Sequence, residues 1–147
     1  MEIQVLSFSQ LSSQQLYEVL QLRSAVFVVE QDCVYQDIDG KDIKALHVLG
    51  FEEGVLAAYT RIFKAGDYLP KASIGRVLVH EKYRKLSLGQ AIMKASIGAV
   101  SLHFKTKAIE ISAQTYLLGF YQNLGFKPFG DSYLEDGIPH INMQTKA

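Results

Sequence analysis

The segment Ile74–Ala91 constrains this chain more than any other. It runs Ile-Gly-Arg-Val-Leu-Val-His, then a short charged connector, then Arg84-Lys-Leu-Ser-Leu-Gly-Gln-Ala. Val77–Val79 reads as a buried strand, and Leu88–Ile97 reads as a helix with apolar residues at three- and four-residue spacing. The turn between them is cationic and falls where a helix begins. A helix start offers unpaired backbone N–H groups and the positive end of the helix dipole, so it can hold a phosphate without special side chains. The connection is either such an anion cradle or an ordinary link from strand to helix.

With 147 residues, 48% of them hydrophobic and 20% charged, the chain reads as one domain, residues 1–147, able to bury a sizeable core. Fifteen Lys and Arg cancel fifteen Asp and Glu. The overall basic character of a dedicated nucleic-acid binder is missing, so no nucleic-acid partner is expected, although Lys82, Arg84 and Lys85 form a local cationic patch. Cys33 is the only cysteine, which excludes an internal disulfide and suits a reducing compartment. The first residues lack the charged start and apolar run of a signal peptide, and no apolar stretch is long enough to span a bilayer. A soluble cytoplasmic protein without a membrane partner is expected.

Ile3–Phe8 reads as a first strand. Ser12-Ser-Gln-Gln15 has capping-box spacing and starts a helix whose buried stripe is Leu16, Val19, Leu20, Val26 and Phe27. Gln31–Lys44 is polar and acidic, a loop or irregular helix. Ala45–Phe51 and Val55–Phe63 are strand-like runs joined by Glu52-Glu-Gly54, a hairpin signal. After the strand ending at His80 and the helix from Ser87 come a strand at Ala108–Ala113 and a short helix at Leu117–Leu124, closed by Gly125. Phe126–Phe129 and His140–Gln144 complete the sheet. This order predicts an α/β sandwich, mainly antiparallel in its first half, with a parallel crossover through the helix at 84–106.

Val79-His-Glu-Lys-Tyr-Arg84-Lys-Leu-Ser-Leu-Gly89-Gln-Ala91, followed by Phe120-Tyr-Gln-Asn-Leu-Gly-Phe126, resembles the two signature segments of the GNAT superfamily of acyl-CoA-dependent N-acetyltransferases. Arg84 and Gly89 match the usual Arg/Gln-x-x-Gly-x-Gly/Ala pattern. Ser87 stands where its first Gly is expected, and Lys85 replaces a frequent Gly. Leu22–Gln31 and Glu135-Asp-Gly-Ile-Pro-His140 are similar to the ElaA-like branch. The resemblance implies a single-domain GNAT-like fold, a mixed central sheet of about six to seven strands flanked by about four helices. It also implies acetyl-CoA as acyl donor and cosubstrate, with a small amine or peptide as the other partner.

On that resemblance the donor's diphosphate lies against Arg84, Lys85, Leu86, Ser87, Leu88, Gly89 and Gln90, held by main-chain N–H groups and cationic side chains. Leu78 and Val79 pair with the pantetheine arm through their backbone, and an N–H there polarises the thioester carbonyl. Tyr121 stands as the acid that protonates the departing thiolate, with Tyr116 as a weaker competitor. The general base is open among Glu30, Asp39, His47, Glu135 and His140. His140 leads, because it follows Glu135-Asp136-Gly-Ile-Pro and can lie at the mouth of the acceptor site; otherwise it simply begins the last strand. Arg23, Glu30, Asp39, His47 and Glu135 are candidate acceptor-binding residues. Arg23 pairs with a loop aspartate or points at the acceptor, while Arg61 and Arg76 have no evident place.

Asp32, Asp37, Asp39 and Asp42 concentrate negative charge after the first helix, either a solvated loop or an acidic wall suited to a cationic amine. His47, His80, His103 and His140 lack metal-ligand spacing, so no metal is expected. Cys33 reads as a small packed residue. Neither a Gly-x-Ser-x-Gly elbow nor a phosphate-loop lysine motif is present. The expected activity is direct transfer of an acetyl group from acetyl-CoA to a primary amine in a ternary complex. The alternative is a non-catalytic acyl-CoA sensor or interaction module on the same fold. Oligomeric state, a homodimer included, stays open.

Overall fold

The computed structural model describes residues 1–145. Its strands are β1 (Glu2–Ser7), β2 (Leu46–Glu52), β3 (Val55–Phe63), β4 (Ala72–Val79), β5 (Ile109–Gln114), β6 (Lys127–Glu135) and β7 (Ile138–Gln144). They form one seven-stranded sheet in the order β1-β2-β3-β4-β5-β7-β6. Every neighbouring pair is antiparallel except β4 and β5, which the crossover makes parallel. The expected mixed sheet with a parallel crossover is therefore observed.

The helices are α1 (Ser13–Arg23), α2 (Leu88–Phe104) and α3 (Leu118–Gln122), with a π-helical segment at Ser24–Glu30 and short 3-10 turns between. Ser12 caps α1 as its spacing predicts: Gln15 N donates to Ser12 Oγ at 3.0 Å, and Ser12 N donates to Gln15 Oε1 at 2.9 Å. Strand alternation sends Val48 and Ala58 to one face and Leu49 and Tyr59 to the other. On the first face they pack with Ile92, Met93 and Val100 of α2. On the second they meet Val19 and Leu22 of α1. Thr60 and Ser96 hydroxyls, 2.6 Å apart, join β3 to α2 inside the first core, and Ser96 Oγ–H donates to the Ile92 carbonyl at 2.7 Å. Among the described residues, no helix is long and apolar enough to cross a membrane.

Two elements differ from expectation. The last strand pair is longer: β6 extends to Glu135, and the chain reverses at Asp136-Gly137, both at positive φ. β6 is a sheet edge, exposed along most of its length, and carries Pro128, Gly130 and Asp131. An edge that buries neither face shows no hydrophobic alternation. The first helix also changes its winding at Ser24. Gln31 N donates to Val26 O at 3.3 Å and Cys33 N to Val28 O at 3.1 Å, both i→i+5 bonds.

Candidate active site

Parallel pairing between β4 and β5 holds only at Ala72–Ile109 and Ser73–Glu110. Beyond these residues the strands part, and a cavity of about 690 Å³ opens between Ile74–Val79 and Ile111–Gln114. From Ile74 onward that edge of β4 has no neighbouring strand. Its other edge carries a bulge, where the β3 register passes from Tyr59–Leu78 to Arg61–Gly75 and β4 gains one residue. Arg76 lies in the bulge at φ +50°.

The start of α2 borders the same cavity through Ser87, Gly89 and Gln90. Ser87 is left-handed at φ 57° and ψ 30°, and no side chain caps the helix. The first N–H groups, at Leu88, Gly89 and Gln90, thus keep their donors for an external acceptor. A Cβ at Gly89 would lie 3.5 Å from Phe120 Cζ and 3.7 Å from Val79 Cγ2, so glycine keeps open the space between those side chains. Leu88 contributes only its backbone, because its side chain is buried in the core. Lys85 and Leu86 do not line the cavity, and Leu86 is exposed.

Arg84 borders the cavity with its guanidinium already engaged. Nε donates to the Val79 carbonyl at 3.1 Å, while Nη1 and Nη2 donate to the two Glu30 oxygens at 2.5 and 2.7 Å. This fork holds the Glu30 carboxyl below its usual range and raises Arg84.

Tyr121, only 6% exposed, reaches the cavity from α3 between the edges of Phe120 and Phe126. Its hydroxyl has no hydrogen-bond partner among the described residues. Burial pushes the phenol pKa up, so it is a protonated donor at neutral pH. Across the β6–β7 turn, His140 Nδ1–H donates to the Ile138 carbonyl at 2.7 Å, which leaves Nε2 as the basic nitrogen, 3.3 Å from Glu135 Oε2. Tyr133 OH donates to Asn142 Oδ1 at 3.0 Å and accepts from Ser112 Oγ, which lies 3.5 Å from Glu135 Oε1. His140, Glu135 and Ser112 all line the cavity.

Arg23, Asp39 and His47 lie outside it. Arg23, 0% exposed, donates to Asp37 Oδ2 at 2.9 Å and Asp42 Oδ1 at 2.7 Å. Arg61 forks onto both Asp39 oxygens at 2.9 and 2.7 Å and reaches Asp42 at 3.0 Å. His47 bonds Tyr59 and the Asp42 carbonyl within the fold. The acidic run is therefore not an unpaired wall facing an amine, because Asp37, Asp39 and Asp42 turn inward onto three arginines. Pairing fits these carboxylates better than exposure to a cavity, since each buried guanidinium needs a compensating anion.

Tyr35, Cys33 and Arg76 also line the cavity, and sequence reading did not place them there. Arg76 Nη2 donates to the Asp37 carbonyl at 3.0 Å, and its guanidinium lies 5.6 Å from the Tyr35 ring centre. Its Nε is 2.8 Å from Asp37 Oδ1, but out of line for a hydrogen bond. Cys33 Sγ–H donates to the Asp136 carbonyl at 3.3 Å, tying the 31–44 loop to the β6–β7 turn. The chemistry available is an anion site at a helix start, an open strand edge, a phenolic hydroxyl at the cavity wall and a histidine beside a carboxylate.

Residues 7–147 match the acetyltransferase (GNAT) domain family. The chain is 48% identical to protein ElaA of Escherichia coli strain K12 over 99% of its own length and 97% of that protein's. The crystal structure of Escherichia coli ElaA superposes with a TM-score of 0.91 at 45% identity, covering 99% of this chain and 100% of the other. An acyl-CoA N-acyltransferase from Pseudomonas aeruginosa also gives a TM-score of 0.91, at 34% identity and 99% coverage of both chains.

Proposed function

Because the chain belongs to the GNAT acetyltransferase family, we propose that this transferase moves an acetyl group from acetyl-CoA to a primary amine of a small molecule or peptide, directly, in a ternary complex. The observation that carries the reading is the largely buried Tyr121 side chain, whose hydroxyl has no protein partner among the described residues, in a cavity shared with the uncapped start of α2. The residues present fit acyl-CoA: N–H groups from Leu88 to Gln90 suit its diphosphate, and the open edge of β4 suits an extended pantetheine arm.

In the proposed reaction the amine nitrogen attacks the thioester carbon, and its proton passes to Nε2 of His140, directly or through water. Glu135, 3.3 Å from that nitrogen, stabilises the resulting imidazolium. A backbone N–H at Leu78 or Val79 steadies the oxyanion. As the carbon–sulfur bond breaks, the thiolate takes the Tyr121 proton, leaving an amide and a free thiol. Solvent then carries the extra proton from His140 back to the Tyr121 phenolate, which restores both groups for the next turnover. A cytoplasmic setting, with Cys33 a free thiol, belongs to the same proposal.

Thiol release from acetyl-CoA, followed across polyamines, amino acids, aminoglycosides and peptide N-termini, tests the activity. Tyr121→Phe is expected to lower kcat by about 100-fold while coenzyme A affinity stays constant. Unchanged turnover in that variant removes the acid role. Saturable coenzyme A binding without turnover across the whole panel favours the sensor reading instead.

A further inference from the structure

Glu30 reaches the cavity from the π-helical segment Ser24–Glu30, and Val26, Phe27 and the adjoining Gln31 border the cavity beside it. The segment thereby presents a carboxylate to Arg84, 54 residues further along the chain. Local changes of winding of this kind recur at functional sites.

The fork leaves a specific remainder. The Nε proton of Arg84 is spent on Val79, and one proton of each terminal nitrogen is spent on Glu30. The second proton of each terminal nitrogen stays free for another anion. Arg84 lies on the 3-10 turn that leads into Ser87 and α2, so those free donors and the uncapped N–H groups belong to one short stretch of chain. Both partners are half-exposed, so the pair contributes little to stability as a surface salt bridge. Its effect is geometric: a long side chain is fixed at two ends before any ligand arrives.

We propose that Glu30 is a positioning residue for the acyl donor, holding the Arg84 guanidinium at the cradle so that its remaining N–H groups receive the diphosphate. This rests on the donor reading above and moves Glu30 from the acceptor side, where sequence alone had set it, to the donor side. Glu30 acts through Arg84 and takes no part in proton transfer.

Affinity for coenzyme A and for pantetheine, which lacks the diphosphate, is measured calorimetrically and by competition. The proteins are the full-length chain, Glu30→Gln, Arg84→Ala and the double variant. Glu30→Gln is expected to weaken coenzyme A binding by about tenfold, with pantetheine affinity unchanged. The double variant is expected to bind coenzyme A no more weakly than Arg84→Ala alone, because Glu30 has no route to the donor except through that arginine. Tighter coenzyme A binding in Glu30→Gln overturns the proposal, since the carboxylate would then compete with the diphosphate. Unchanged coenzyme A affinity also overturns it, as does an equal loss for pantetheine, which marks a collapsed wall. If the unaltered protein binds no coenzyme A, the donor reading itself fails.

Discussion

Arg23 Nη1 donates to Asp42 Oδ1 at 2.7 Å across 19 residues of chain, with the arginine wholly withdrawn from solvent. Asp42 shares the same oxygen with Arg61, at 3.0 Å, and Asp37 completes the bonding of Arg23. Burial pushes the Asp42 carboxyl up, but Arg23 and Arg61 together pull it below the usual range. Three arginines from α1, β3 and β4 thus fasten the 31–44 loop over the sheet, and the loop's Cys33 and Tyr35 become cavity walls.

Removing one member leaves its partners charged and buried. Arg23→Ala is expected to cost about 3–5 kcal/mol in urea unfolding, the range for breaking a buried pair from one side. A loss below about 1 kcal/mol would place this pair with exposed salt bridges.

Stability should fall in acid in two stages. His47 Nε2–H donates to the Asp42 carbonyl at 3.0 Å and Nδ1 accepts from Tyr59 OH at 2.6 Å, a neutral tautomer that a second proton disrupts. Burial, above all, lowers its pKa. Asp39 and Asp42 are lowered as well, since their arginine partners outweigh burial. Each group binds its proton at higher pH in the unfolded chain than in the fold, so its contribution is complete above the unfolded pKa and is lost as pH falls. The urea midpoint is expected to drop first below about pH 6.5 and again below about pH 4. His47→Gln should remove the first drop only. A midpoint constant from about pH 7.5 to 5 contradicts the His47 assignment.

Ser87 departs from the family's glycine at a left-handed position, φ 57°. That conformation costs a side-chain-bearing residue about 1 kcal/mol, partly offset by the greater freedom that glycine loses on folding. Ser87→Gly is expected to raise Tm by about 1–2 °C and to leave coenzyme A affinity unchanged, because the helix N–H groups stay in place. A marked loss of affinity would show that the Ser87 hydroxyl is itself a ligand.

The strands and the crossover were legible because their signals are local: apolar runs in β2 to β4 and three-and-four spacing in α2. Resemblance brought Tyr121, the α2 start and the Glu135–His140 segment forward, and the cavity does bring these together. Pairing of Arg23 with a loop aspartate was one of two readings the sequence allowed, whereas the Arg61 and Arg76 arms of the clamp were hidden because their partners lie 19 to 39 residues away. The Arg76 bulge was hidden because no glycine marks its positive φ. Tyr35 and Ser112 became cavity residues only when β4 and β5 parted, which depends on the whole sheet. The partner of Glu30 could not be read from sequence, because Arg84 lies 54 residues further along the chain.

The most direct test is a crystal structure of the protein with coenzyme A. Diphosphate oxygens are expected about 3 Å from the N–H groups of Leu88, Gly89 and Gln90, with the sulfur beside the Tyr121 hydroxyl. Coenzyme A bound away from the gap between β4 and β5, or with its sulfur remote from Tyr121, would contradict the account.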